Sequence, residues 1–405
     1  MRVPIEWLND YVAVDGDATA LSERLALTGT EVARVLHHGP LSADNFVVGA
    51  VLTAEQHPDA DRLRVCSVDC GNGEPRTIVC GAPNVAAGQH VVVALPGAVM
   101  PDGTKLGEAK LRGIKSSGMI CAEDELGLGS DHEGIMVLEG APAPGTPVCD
   151  LFALSTEVLE PEITPNRGDC GGLYGVAREV HAATGALLCA EPWSDDPGSA
   201  TLASEPVGIT VKVEDSSLCP RFTARIFEGV TVGPSPLWLK ARLAAAGQRS
   251  ISNVVDITNY VMLVSGHPLH AFDLDQIAGG ELTVRAARDG EKLTTLDGEE
   301  RLLDSDICLI ADADGPTSLA GVMGGARSEV SEATTRVLLE VAVWDPANIN
   351  RTSTRLGLRS EASSRFEKGL SPEGALDAQA LASALMVELT GASLADGTLD
   401  VGGAG

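Results

Sequence analysis

Glu340 follows the apolar run Val337-Leu338-Leu339. A carboxyl in such a place is either paired in the core or set at the floor of a pocket. His270 lies between Leu269 and Ala271 in Gly266-His267-Pro268-Leu269-His270-Ala271-Phe272-Asp273 and, taken alone, reads as a packed histidine. Thr258 and Asn259, inside Val255-Asp256-Ile257-Thr258-Asn259-Tyr260-Val261, can cap local backbone groups. Gly324 and Gly325 close Leu319-Ala320-Gly321-Val322-Met323-Gly324-Gly325, where missing side chains let backbone amides approach a ligand. Carboxyl, imidazole, hydroxyl and bare amide groups of this kind suit a pocket for a small polar molecule.

A second group is electrostatic. The window from Lys105 to Lys115 holds Lys105, Lys110, Arg112 and Lys115 against one acid, Glu108, in a chain whose net charge is −28. A phosphate partner can be attracted there locally although the long-range field of the protein repels it. Ser116, Ser117 and Gly118 add hydroxyls and free amides beside it. Aromatics make up only 3% of the chain, so base stacking has little to draw on, and solvated basic loops on a structural barrel remain the alternative. Asn166, Arg167 and Asp169, in Glu162-Ile163-Thr164-Pro165-Asn166-Arg167-Gly168-Asp169-Cys170, read as a turn and helix cap. Cys66 and Cys70 fall on one face of a predicted strand, but no His/Cys cluster follows, so they read as structural and no metal site is expected.

The elements that must position these groups are legible in the punctuation. At 405 residues the chain suits two or three domains. Asp17 caps a helix with Leu21 and Leu25 on one face and Gly29 as its stop, and a strand follows over 31–36. From Phe46 the runs 46–52, 63–68, 77–80, 90–95 and 134–138 read as five short strands separated by Gly, Pro and Asn, the pattern of a small OB-type barrel. A helix carrying Leu173, Val176, Ala177, Val180 and Ala183 stops at Gly185 and can pack on the first forty residues, which makes the barrel an insertion. The polar stretch 191–206 reads as a linker, and Ser235-Pro236 opens a helix with Ser235 as its cap. Strands are expected at 282–286, 307–311 and 337–343. A last helix opens at Ser371-Pro372-Glu373, with Leu381, Leu385 and Leu389 on its stripe and Gly391 as its stop. The resulting class is α+β and multidomain. Residues 1–39 and 151–200 form a discontinuous small α/β domain, 40–150 the OB-type barrel, 201–400 a mixed α/β domain and 401–405 a linker remnant. Nine scattered cysteines, no apolar run long enough to span a bilayer and no signal peptide at Met1–Glu6 point to a cytoplasmic protein.

Four ordered motifs resemble the tRNA-binding domain of synthetase-associated proteins: His57-Pro58-Asp59-Ala60-Asp61-Arg62-Leu63, Gly81-Ala82-Pro83-Asn84, Lys110-Leu111-Arg112-Gly113 and Ser117-Gly118-Met119. With Trp7-Leu8, the Glu162–Cys170 motif, Gly175-Val176-Ala177-Arg178-Glu179 and the five motifs from 255 to 369, the chain resembles the amino-terminal half of the bacterial phenylalanyl-tRNA synthetase β-subunit family. The last of these is Arg359-Ser360-Glu361-Ala362-Ser363-Ser364-Arg365-Phe366-Glu367-Lys368-Gly369, and Leu338-Leu339-Glu340 precedes it. The resemblance implies an editing domain that hydrolyses tyrosine wrongly esterified to tRNA(Phe). His270, Thr258 and Asn259 would position the substrate, and Glu340, Gly324, Ser360 and Ala362 would bind it. Where Ser360 stands the family commonly has Thr, so a hydroxyl is kept. Lys105, Lys110, Arg112, Lys115 and Ser117 would meet tRNA. The family works as an α2β2 assembly with ATP and Mg²⁺, whose sites are expected on the α subunit and on later β domains outside this chain; neither DNA nor membrane is an expected partner. No P-loop is present. The chain stops at about half the family's usual β length, as a fragment, a truncated form or a naturally short form would. A free-standing editing esterase and a non-enzymatic tRNA-binding module are the alternative readings.

Overall fold

The computed structural model describes residues 1–14, 16–129, 132, 134–198 and 208–402. Strand β1 (Val3–Pro4) runs into helix α1 (Ile5–Leu8), followed by α2 (Ala18–Leu27) and β2 (Val32–His38). Asp17 caps α2 as its position predicts, its carboxylate accepting the Ala20 N–H at 2.7 Å.

The barrel comes next, built from β3 (Phe46–Gln56), β4 (Arg64–Asp69), β5 (Arg76–Cys80) and β6 (His90–Ala94), a hairpin of β7 (Ala109–Leu111) and β8 (Ile114–Ser116), and β9 (Met119–Ile120). Sheet order is β5-β4-β3-β6-β9, and the ring nearly closes where Ser117 N–H donates to Thr77 O at 2.9 Å and Val79 N–H to Ser116 Oγ at 3.0 Å. Alternation along β6 sends Val91 and Val93 into the barrel with Val51, Val68, Ile78 and Ile120. Val92 and Ala94 face a second cluster that includes Phe46, Leu126, Phe152 and Leu154. The expected fifth strand at 134–138 does not form; only Val137 bridges to Val91, and β9 takes the place beside β6. At Ile135 the Asn84 side chain, from fifty residues earlier, satisfies both the N–H and the C=O, at 2.8 and 2.9 Å, in place of a strand partner.

Strand β10 (Thr156–Pro161) then pairs antiparallel with both β1 and β2, and α3 (Leu173–Thr184) packs on α2 and ends at Gly185 with φ of 78°. The chain thus returns after the barrel to complete the sheet that its first residues began. Of the polar stretch 191–206, residues 199–206 lie outside the described residues. The earlier part is anchored rather than free, since Asp196 forms a two-pronged ion pair with the buried Arg225 at 2.6 and 2.8 Å.

The remaining elements are β11 (Thr210–Val213), β12 (Arg221–Glu228), α4 (Leu237–Ala245), α5 (Asn253–Ser265), β13 (His270–Asp273), β14 (Glu281–Ala286), β15 (Lys292–Thr294), β16 (Glu300–Leu302), β17 (Cys308–Asp312), β18 (Gly315–Leu319), β19 (Met323–Gly324), β20 (Arg336–Val343), α6 (Pro346–Leu356), α7 (Glu361–Phe366), α8 (Gly374–Thr390), β21 (Ser393–Leu394) and β22 (Leu399–Gly402). Their strands form two five-stranded sheets, β11-β14-β17-β18-β19 and β13-β20-β12-β21 with β22 also on β12, and a separate β15–β16 pair. Along β20, Leu338 and Ala342 join the core between the sheets, while Val337, Leu339, Val341 and Val343 face α5, α8 and the first body. On that outer side a single core runs from Val3, Trp7 and Leu25 through Leu173 and Val180 to Ile257, Val261 and Met386. Trp7 stacks on Tyr260 with ring centres 4.7 Å apart.

Three local expectations are corrected. Ser235 is not a cap, because Pro236 takes that position and the Ser235 hydroxyl donates to the buried Asp256 instead. The buried stripe of α8 is Ala375, Ala378, Ala382 and Met386, with Leu381, Leu385 and Leu389 at its half-buried margin, because small side chains let the helix lie close on β12 and α5. Val401 and Gly402 are not linker but pair with Phe222 and Arg221; Gly403, Ala404 and Gly405 lie outside the described residues. Among the described residues no helix is long and apolar enough to cross a membrane.

Candidate functional site

A cavity of about 330 Å³ opens between α5, β13, β19, β20 and α7. Thr258, Asn259, His270, Gly324, Glu340, Ser360 and Ala362 all line it, so seven residues spread over a hundred positions in sequence meet at one place. Each is delivered by simple periodicity. Thr258 and Asn259 ride on α5, which Ser252 caps through the Val255 N–H. His270 and Glu340 stand directly opposite each other on β13 and β20. Glu340 has the parity of Leu338 and Ala342, so it points toward the inter-sheet side rather than toward the helices.

Glu340 is 5% exposed and its Oε2 has no hydrogen-bond partner. Burial pushes its carboxyl up to about 8, which favours the neutral acid near pH 7. The same burial pushes the His270 imidazole down to about 4, and its Nε2 is likewise sealed and unpartnered. Two buried polar atoms without hydrogen-bond partners in the protein therefore lie at one cavity, an arrangement that costs free energy unless a polar group meets them. The His270 ring is held edge-on by Phe272, with centres 4.4 Å apart, and lies against the Gly324 backbone. A Cβ on Gly324 would stand 2.4 Å from His270 Cε1, so glycine is required there by the close approach of the ring. The Gly324 carbonyl is already engaged by the Leu296 N–H at 3.0 Å.

The hydroxyls in the wall are partly committed. Thr258 donates to Val255 O at 2.7 Å, leaving its oxygen able to accept. Ser360 donates to Val322 O at 2.9 Å and accepts the Ser363 N–H as the cap of α7, so its hydroxyl fastens the wall. Sequence reasoning missed Gln248, Leu296 and Trp344, which also line the cavity. Alternation from Glu340 through Ala342 to Trp344 was an available signal for the last. Leu296 sits in the turn between β15 and β16, where no local pattern marks it.

The barrel carries a separate groove of about 420 Å³ between β5, β9 and the β7–β8 hairpin, bordered by Gly81, Pro83, Leu106, Leu111, Ser116 and Gly118. The hairpin exposes Lys110 and Arg112, the latter with φ of 47°, and Lys105 lies exposed just before it. Lys115 and Ser117 are drawn instead to Glu108, at 2.7 and 3.3 Å. Lys115 beside Glu108 holds that carboxyl below the usual carboxylate range. His57 is a buried fastener between two loops, with Nδ1 accepting the Asp59 N–H at 3.0 Å and Nε2 lying 3.3 Å from Leu111 O.

Asp169, Cys170 and Glu179 bring ligand-type atoms within 4.8 Å of one another. A cation is already there: the Arg167 guanidinium bonds to all three, at 2.9, 2.9 and 2.6 Å. Cys66 and Cys70 are buried free thiols, and burial pushes Cys66 up to about 11.

Residues 46–147 match the family described as "Putative tRNA binding domain", and residues 218–391 match the B3/4 domain. Curated phenylalanine–tRNA ligase beta subunits are similar over nearly the whole of this chain. That of Nitratidesulfovibrio vulgaris is 49% identical over 98% of this chain and 49% of its own length, and that of Moorella thermoacetica 47% identical over 99% and 50%. The chain spans about half the length of the curated relatives it matches. The resemblance read from scattered motifs thus extends over almost every residue of the chain.

Proposed function

We propose, for a chain so like the phenylalanine–tRNA ligase beta subunits along its whole length, that it engages tRNA through its barrel and removes tyrosine wrongly esterified to tRNA(Phe). On this reading it works beside an α subunit in an α2β2 assembly in the cytoplasm, with ATP and Mg²⁺ handled by that subunit and by later β domains. The observation that carries the reading is the pair of buried, unpartnered atoms, Glu340 Oε2 and His270 Nε2, at one cavity.

Phenylalanine and tyrosine differ by one hydroxyl, and an apolar synthetic pocket rejects an added hydroxyl only about a hundredfold. A second site that rewards the hydroxyl is then useful. The tyrosine phenol would meet Glu340, whereas phenylalanine would leave it unpaired at a cost of about 1–3 kcal/mol. A neutral carboxyl can both donate to and accept from a phenol, so ionisation is not needed for recognition. Neutral His270, the Thr258 oxygen and the Asn259 amide would hold the terminal ribose and the ester while water attacks. Gly324 would keep the imidazole in place, and Ser360 and Ala362 would close the wall.

The test is direct. Purified chain is mixed with tyrosyl-tRNA(Phe) and phenylalanyl-tRNA(Phe), with and without the α subunit. Release of tyrosine well above release of phenylalanine is expected in at least one arm. Background release of both amino acids in both arms would overturn the reading and leave a tRNA-binding module.

A further inference from the structure

The motif from Thr164 to Gly172 contributes nothing to the lining of the cavity, yet it touches both helices that do. A Cβ on Gly172 would stand 2.4 Å from Gly266 N and 2.5 Å from Val264 O, at the C-terminal end of α5. A Cβ on Gly168 would stand 2.4 Å from Gly369 O, just beyond the C-terminal end of α7. Arg365 of α7, 5% exposed, donates from Nε to Gly171 O at 2.9 Å and from Nη1 to the Glu361 carboxylate at 2.6 Å. Since α5 carries Thr258 and Asn259, and α7 carries Glu361 and Ala362, one short loop holds the far ends of two helices that bound the cavity.

The loop is itself rigid. Arg167 is clamped by Asp169 at 2.9 Å and by Glu179 of α3 at 2.6 Å, and Thr30 donates to Glu179 at 2.9 Å. A Cβ on Gly175 would stand 1.9 Å from Asp169 O, so the start of α3 is pressed against the same loop. Backbone meets backbone along this seam, and backbone atoms do not yield as a flexible side chain does. A displacement there is passed to the helix ends.

We propose that Gly168, Gly172 and Arg365 are positioning residues for the ester-binding cavity, setting the spacing of α5 and α7 from the C-terminal side of those helices. This rests on the hydrolase reading for its kinetic consequence, though not for its structural one. Gly168→Ala and Gly172→Ala each force the backbones apart; Arg365→Lys keeps a charge for Glu361 but loses the contact from Nε to Gly171. Leu21→Ala, in the same body but on α2 and away from the seam, serves as a control for general loss of stability.

Two measurements are made well below the melting temperature of each variant. Amide hydrogen exchange across residues 360–366 should quicken at least fivefold in the seam variants and stay at the parent rate in Leu21→Ala. Deacylation of tyrosyl-tRNA(Phe) should lose at least fivefold in kcat, with the affinity for tRNA unchanged, in the seam variants only. If an alanine variant fails to fold, Arg365→Lys decides alone. Parent exchange rates in Arg365→Lys, or an equal quickening in Leu21→Ala, would overturn the proposal. Should the parent itself not deacylate, the hydrolase reading fails, and the exchange measurement still decides the seam.

Discussion

At the scale of single residues, the strongest consequence belongs to Glu340. Its carboxyl is raised by burial in the folded protein, so between about pH 4.5 and 8 the folded state holds a proton that the unfolded state releases. Stability from this group is therefore present at low pH and is lost as pH rises through that window. Glu340→Gln should gain on the parent by at most about 5 kcal/mol between pH 5 and pH 9, read by urea melts at each pH. A constant difference would mean the carboxyl is ionised in the fold. His270 acts oppositely: its imidazole is pushed down to about 4, so its share of stability is lost as pH falls from about 6.5 toward 4. For activity, Glu340→Ala should slow tyrosyl-tRNA(Phe) deacylation at least tenfold with little change in melting temperature. If folding is lost first, the side chain is structural. Gly324→Ala is the sharper probe of geometry, because the new methyl strikes the His270 ring rather than merely filling space. It should cost at least tenfold in kcat/KM, and a parent rate would show that the ring position is irrelevant.

At the scale of elements, the β7–β8 hairpin separates two kinds of basic residue that look alike in sequence. Lys110, Arg112 and Lys115 are all exposed, but Lys115 is paired with Glu108 at 2.7 Å. Replacing Lys110 and Arg112 together by Ala should flatten the salt dependence of tRNA binding by about 1–2 in the log–log slope, and Lys115→Ala should change it much less. Equal effects would show that the pairing with Glu108 opens on binding. The same distinction explains how far the sequence could be read. Asp17, Gly185 and Gly391 were legible because a cap or a stop depends on residues a few positions away. Strand 134–138 was misplaced because Asn84, fifty residues earlier, takes the backbone groups of Ile135. Ser235 was misread as a cap because its partner, Asp256, lies two elements on. At the cavity, motifs named seven lining residues, but no pattern revealed that burial would raise the Glu340 carboxyl, since burial is a property of the assembled sheet.

At the scale of the whole molecule, the first body and the cavity-bearing body share one core through Trp7 and Tyr260, while the barrel interior is packed separately. Trp7→Ala should destabilise the shared core by about 3–5 kcal/mol and abolish deacylation on mild heating. Affinity for tRNA should outlast it, as followed by filter binding across the temperature range. Simultaneous loss of both activities would mean that the contact of Ala241 with the barrel cluster couples the two cores. ATP–pyrophosphate exchange with phenylalanine should stay at background for this chain alone.

The barrel leaves and re-enters its host at adjoining points. His38, the last residue of β2, is the register partner of Thr156, the first of β10. Antiparallel neighbours of this kind are joined elsewhere by two-residue turns. The host sheet is thus a socket that accepts a module without being stretched by it, and insertions at such points are the ones folds tolerate. Cutting out 39–155 and bridging with Asn-Gly should leave the host able to fold, with the barrel-facing side of α4 newly bare. By the same geometry a foreign domain with adjacent termini could be seated there, and the size of what is inserted would matter little to the host.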